Sequence, residues 1–91
     1  MTKQNIEIAS LSMDLKRVAL GYYRGSRKTA KRFSQEVLKR RKEINEKKLK
    51  PYLRVFFDKL PEILDQKDEK KVAEDALMYS TIFQNFSQHN S

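Results

Sequence analysis

The residues able to do chemistry in this chain are its cations. Lys28, Arg32, Lys39 and Lys42 follow one another at steps of four, seven and three, a spacing that sets them on one side of a helix. Gln35 and Glu46 share that side and Lys31 flanks it. Over a helix the row spans about 20 Å at 1.5 Å per residue. Duplex DNA carries one charge per about 1.7 Å of axis, so such a row meets several phosphates at once. A second group lies just before it, in Tyr22-Tyr23-Arg24-Gly25-Ser26-Arg27-Lys28. Its basic end falls at a helix start, where the backbone already carries partial positive charge and cations are disfavoured. Stability alone would place Asp or Glu in that turn. Arg24, Arg27 and Lys28 beside free backbone N–H groups make a phosphate site, and Tyr23, off the apolar stripe, is placed to stack on a base. Nucleic acid, RNA or DNA, is therefore the leading expected partner, held through Arg24, Arg27, Lys28, Lys31, Arg32, Lys39 and Lys42 without reading of sequence.

Plainer readings compete. Any outward helix surface carries Lys and Arg, and an acidic protein surface suits the same row. In an up-down bundle Asp65, Asp68 and Glu69 come to the same end as Arg24, Arg27 and Lys28 and can pair with them. Exposed pairs of that kind contribute about 0–1 kcal/mol each. Lys47, Lys48 and Lys50 need no further explanation at a helix C-terminus, where cations favour the dipole.

Catalytic patterns are missing. The chain has no Cys, which removes a thiol nucleophile, a Cys-based zinc site and a disulfide framework. His89 is the only His and stands third from the end, so it reads as a solvated side chain. Asp68, Glu69, Glu74 and Asp75 have no His beside them to make an inward metal pattern. There is no Gly-rich phosphate loop and no nucleophile elbow. Ser10, Ser12 and Ser26 read as caps or surface residues, and Tyr22, Tyr52 and Tyr79 as core. The expectation is a protein that is not an enzyme and that uses no cofactor and no metal.

The aromatic second half suggests a different partner. Phe56 and Phe57 are neighbours, 100° apart on a helix, so both cannot point at one core. Met78 and Ile82 leave the main stripe of their helix. Phe56, Phe57, Met78 and Ile82 would then form an apolar patch for an acidic protein or for a second copy, giving an adaptor or a homodimer. The competing reading is that four packed helices need wide stripes and these residues fill the flanks.

Charge is divided unevenly. The 91 residues carry 20 Lys/Arg and 12 Asp/Glu, a net +8. Residues 1–50 hold 15 basic and 5 acidic residues and residues 51–91 hold 5 and 7, so +10 and −2 make up the total. Between Arg24 and Lys50 there are 12 basic and 3 acidic residues. That asymmetry points to a polyanionic or acidic partner and says nothing about fold. No apolar run approaches the about 20 residues of a membrane span, and the start shows no signal-peptide pattern. One cytoplasmic domain over residues 1–91 is expected.

The elements that must position these groups are helical. Gly21, Gly25, Pro51 and Pro61 are the only punctuation, and the apolar spacing follows 3.6 rather than 2. Ile8, Leu11, Leu15, Val18 and Tyr22 predict a first helix over about Asn5 to Tyr23. Gly25 supplies a positive φ in the turn and Ser26 can cap the second helix. Ala30, Phe33, Val37, Leu38 and Ile44 predict that helix over Arg27 to Lys48, with Arg40 and Arg41 laying their stems on the core edge and their guanidinium groups in water. A third helix starts at Pro51 and carries Tyr52, Leu53, Phe56, Leu60, Ile63 and Leu64. Pro61 cannot donate to the Phe57 carbonyl, which predicts a kink or an early end there. Val72, Ala76, Tyr79, Phe83 and Phe86 mark a fourth helix over Asp68 to Phe86, with the polar residues after it fraying. Short connections make a compact, antiparallel, up-down four-helix bundle. The alternative is three helices, with the second and third joined as one long bent helix through Pro51.

Overall fold

The computed structural model describes residues 3–89, with the backbone alone at His89. Residues 1, 2, 90 and 91 lie outside the described residues; the expected end of the last helix at Phe86, with fraying after it, is corrected, because the helix runs on through buried Ser87 to His89. Four helices follow in order: α1 (Lys3–Tyr23), α2 (Arg27–Glu43), α3 (Pro51–Leu64) and α4 (Glu69–His89), with a single 3-10 turn (Glu46–Lys48) before α3. They pack as a compact antiparallel bundle of 35 × 20 × 19 Å. The expected stripes line its core: Ile8, Leu11, Leu15 and Val18 of α1 meet Val37, Leu53, Leu60, Val72, Ala76 and Phe83.

The core is built around α1, which packs against both α2 and α4. Its seam with α4 is made of small residues. Asn5, Ser12 and Ala19 are buried and spaced by seven, and so are Ala73, Ser80 and Ser87. The Ser80 hydroxyl donates to the Ser12 carbonyl at 2.8 Å. In an antiparallel pair that contact sets Asn5 opposite Ser87 and Ala19 opposite Ala73. The expectation that Ser12 is a cap or surface residue is thus corrected: it is buried in this seam because only small side chains fit between the two backbones. At the other flank Gly21 lets α1 approach α2. A Cβ at Gly21 would stand 2.9 Å from the Ala30 nitrogen, closer than real contacts allow.

The turn from α1 to α2 follows from Gly25, at φ 76°. Ser26 N–H donates to the Gly21 carbonyl at 2.8 Å and Gly25 N–H to the Tyr22 carbonyl at 3.1 Å, the two bonds of a Schellman ending. Ser26 is the N-cap residue, but its hydroxyl bonds the Thr29 hydroxyl at 2.7 Å rather than a backbone N–H.

Two expectations about α2 and α3 are corrected. First, α2 stops at Glu43 rather than Lys48. Ile44 turns extended, at φ −91° and ψ 130°, while its side chain stays in the core. Asn45 accepts a hydrogen bond from Lys47 N–H and caps the 3-10 turn. Gln4 holds Asn45 from α1 through a reciprocal pair of bonds, 3.1 and 3.2 Å. The helices on either side of Pro51 are therefore separate, and the joined three-helix alternative does not form.

Second, α3 continues through Pro61 to Leu64. The acceptor that Pro61 leaves without its helical partner, the Phe57 carbonyl, takes the Arg41 Nε–H at 3.0 Å. The same guanidinium lies 4.6 Å from the centre of the Phe57 ring and 4.0 Å from Asp58. Arg41 and Arg40 do not send their heads into water. Arg40 reaches Asp14, a buried carboxylate on α1, at 3.3 Å, and Arg17 holds the other oxygen of Asp14 at 3.1 Å. A buried carboxylate is stable only when its oxygens are bonded, and these two arginines meet that need.

Candidate nucleic-acid interface

The outer face of α2 follows from its inner one. Ala30 and Val37 are buried against α1, with Phe33, Ser34 and Arg41 beside them. At 100° per residue the opposite side carries Lys28, Arg32, Gln35, Lys39 and Lys42, and all five are exposed. Lys31 is exposed beside them. Glu46, expected on this side, belongs to the 3-10 turn instead. From Lys28 to Lys42 the face runs about 21 Å at 1.5 Å per residue. Among the described residues none of these cations takes part in an ion pair. Arg32 lies 5.8 Å from the centre of the Phe33 ring, and Arg17 of α1 lies 5.4 Å from the same ring. The cationic surface thus runs from α2 onto α1 over one half-buried aromatic.

The basic residues that do have partners are a different set. Arg27 meets Glu69 through two nitrogens, Nε at 2.5 Å and Nη2 at 3.0 Å. Lys71 bonds Asp75 at 3.1 Å, and that hydrogen bond raises the lysine pKa above its ordinary value. Arg54 donates twice to the Glu46 carbonyl. Asp14 is occupied by Arg17 and Arg40, as described. Of the three acids expected to neutralise the turn before α2, only Glu69 does so. Asp68 instead accepts from the Lys70 and Lys71 N–H groups at the start of α4, and Asp65 is the C-cap residue of α3. Arg24 and Lys28 are exposed and make no ion pair among the described residues. Tyr23 is exposed next to Arg24, and Tyr22 is half-buried with its phenol pKa raised by burial and then by Glu69.

The aromatic patch fares differently. Phe57 is 2% exposed and belongs to the core under Arg41. Phe56 is half-buried and packs edge-on against Tyr79 at 5.3 Å, as Tyr52 does against Phe86 at 6.2 Å. Ile82 is half-buried against the core. Of Phe56, Phe57, Met78 and Ile82, Met78 alone is well exposed, at 50%. Adjacent aromatics on α3 split between the core and the α3–α4 seam, which corrects the expectation of a shared outer patch that includes Phe57. Tyr52, expected as core, is exposed, while Tyr79 is buried and its phenol pKa is raised by that burial and by Asp75.

No group of three or more His, Cys, Asp or Glu able to hold a metal occurs among the described residues, and none of the described helices is long and apolar enough to cross a membrane. No protein family, curated protein or solved structure matches the chain.

Proposed function

We propose that this protein is a non-enzymatic module that binds the phosphate backbone of nucleic acid along the outer face of α2. The observation that carries the reading is the division of labour among the cations. The acids engaged in ion pairs are taken by Arg17, Arg27, Arg40, Arg41 and Lys71. Lys28, Lys31, Lys39 and Lys42 stand outside that set, on one side of one helix. Like charges held that close repel, and a row of phosphates relieves the repulsion. Arg24 extends the row at its start, and Arg27 is withheld from it by Glu69. Binding an acidic protein or a second copy through α3 and α4 has less support, because Phe57 lies inside the core.

The test is affinity for RNA and DNA duplexes as a function of salt. Counter-ion release gives log K a slope of about −0.9 per phosphate against log salt, so four contacts give a slope of about −4. Replacing Lys28, Arg32, Lys39 and Lys42 together by Gln flattens the slope and leaves the helical circular dichroism unchanged. Glu69→Gln frees Arg27 and steepens the slope by about 0.9 if that arginine then reaches a phosphate. Absence of binding to either nucleic acid at about 50 mM salt, where such contacts are strong, rejects the reading.

A further inference from the structure

The outer side of α1 carries a pattern that the phosphate reading does not use. Ile6, Met13 and Leu20 are spaced by seven, which keeps them within about 20° per step on one face of a helix. Ile6 is 52% and Met13 54% exposed, and Leu20 is half-buried. Large apolar side chains repeated this way on the solvent side of a helix add nothing to the chain's own core.

A groove of about 360 Å³ runs beside this stripe, between α1 and α4. Met13, Lys16, Arg17 and Leu20 form one wall, and Ser80 and Gln84 form the other. The groove follows from the small-residue seam beneath it. Ser12 and Ser80 let the backbones approach, so larger residues on either side stand up as banks. Leu77, exposed on α4 one turn before Ser80, adds a further apolar side chain.

The charged residues that line the groove, Lys16 and Arg17, are both basic. Lys16, Arg17 and Arg24 are exposed on the α1 side and Lys70 on α4. The acids of α1 are elsewhere. Asp14 is buried under Arg17 and Arg40, and Glu7 lines a hollow beside Glu43 at the far end of α2. On α4 the exposed carboxylate that comes nearest this border is Glu74, one turn before Leu77. An apolar stripe with cationic banks repels a second copy of itself and attracts an apolar stripe with acidic flanks.

From this we infer that the α1–α4 groove is a docking site for an acidic amphipathic helix of another protein. The helix lays its apolar face on Ile6, Met13 and Leu20, and its carboxylates meet Lys16 and Arg24, while Arg17 stays on Asp14. Recognition of this kind reads anchors at helical spacing in a groove, with the cations setting the approach and excluding basic partners. The docking surface belongs to α1 and α4; it meets the phosphate row only at Arg24 and uses none of Lys28, Arg32, Lys39 and Lys42.

The experiment uses the full chain and a synthetic helical peptide of three heptads, with leucine at the first and fourth positions and glutamate at the flanks. Its partner control carries lysine at the flanks. Binding is read by fluorescence anisotropy and by the methionine methyl resonances. Met13 lies in the groove, whereas Met78 is about as exposed on another side of α4 and serves as the internal reference. The glutamate peptide binds and moves the Met13 methyl while the Met78 methyl stays in place; the lysine peptide binds at least tenfold more weakly. Met13→Glu with Leu20→Glu weakens the glutamate peptide at least tenfold. Met13→Gln keeps the variant helical while weakening the anchor by a smaller factor, so that a folding defect is told apart. The Gln variant of Lys28, Arg32, Lys39 and Lys42 binds the peptide within twofold of the parent. Failure of the glutamate peptide to bind, equal binding of the lysine peptide, or a shift confined to Met78 overturns the inference. So does loss of binding in the α2 variant, which places the peptide on the phosphate row, or a Met13 shift that depends on protein concentration without peptide, which assigns the face to a second copy.

Discussion

Replacement of Arg41 by Met tests the account of how α3 passes through a proline. Methionine keeps the apolar stem and removes the guanidinium. The Phe57 carbonyl then loses its donor at 3.0 Å, and Pro61 has no N–H to replace it. An unsatisfied, part-buried carbonyl costs about 1–3 kcal/mol. The cation–π contact at 4.6 Å adds about 0.5–1 kcal/mol. The Asp58 contact, at 4.0 Å with a half-exposed carboxylate, adds almost nothing. The sum is about 2 kcal/mol, a fall in Tm of about 10 °C for a domain of this size. Urea unfolding followed by circular dichroism measures it. The informative step is to repeat the substitution in a Pro61→Ala background. The alanine supplies the missing N–H, so the carbonyl is satisfied from within the helix and the Arg41→Met cost falls to about 1 kcal/mol. An equal cost in the two backgrounds refutes the claim that Arg41 serves the acceptor left by Pro61.

Two further substitutions probe the packing. Gly21→Ala gains about 1 kcal/mol of helix propensity but drives a Cβ to 2.9 Å from the Ala30 nitrogen. Overpacking of about 1–3 kcal/mol wins, so the urea midpoint falls; a rise would mean that α1 and α2 are free to separate. Tyr79 has a raised pKa, so its contribution to stability is complete below about pH 10 and is lost as pH rises through the folded-state value. Tyr79→Phe therefore loses less stability than the parent between neutral and strongly alkaline pH, and identical losses would contradict the burial of that phenol.

The helix count and the core stripes were legible because they depend on local spacing. Ile8, Leu11, Leu15 and Val18 repeat at 3.6, and so do Val72, Ala76, Tyr79 and Phe83. The end of α2 was not, because Ile44 continues the apolar spacing while Asn45 and the Lys50-Pro51 step favour non-helical backbone. Ile44 reaches the core from an extended residue, so burial and helix separate at that position. Continuation through Pro61 depends on an arginine from another helix, which no window around Pro61 contains. The outer row on α2 was readable, because a buried stripe fixes its opposite face. The state of the turn before it was readable only in part: Asp65, Asp68 and Glu69 offered three partners, and Asp68 went to its own helix start. The small-residue seam does have a signal in the sequence, Asn5, Ser12 and Ala19 and then Ala73, Ser80 and Ser87, each set at intervals of seven. The exposed series Ile6, Met13 and Leu20 has the same interval.

The seam between α1 and α4 also has a consequence for the order in which the chain folds. Ser12 and Ser80, bonded to each other, are 68 residues apart. During synthesis at about 5–20 residues per second, α1 spends several seconds with only α2 and then α3 to pack against. The α1–α2 hairpin, closed by a three-residue turn and the Gly21–Ala30 approach, is the local unit available first. Arrival of α4 closes the longest loop and completes the core in one late step. Changes in the α1–α2 hairpin therefore act mainly on the folding rate, and changes at Ala73, Ser80 and Ser87 act mainly on how fast the finished bundle comes apart.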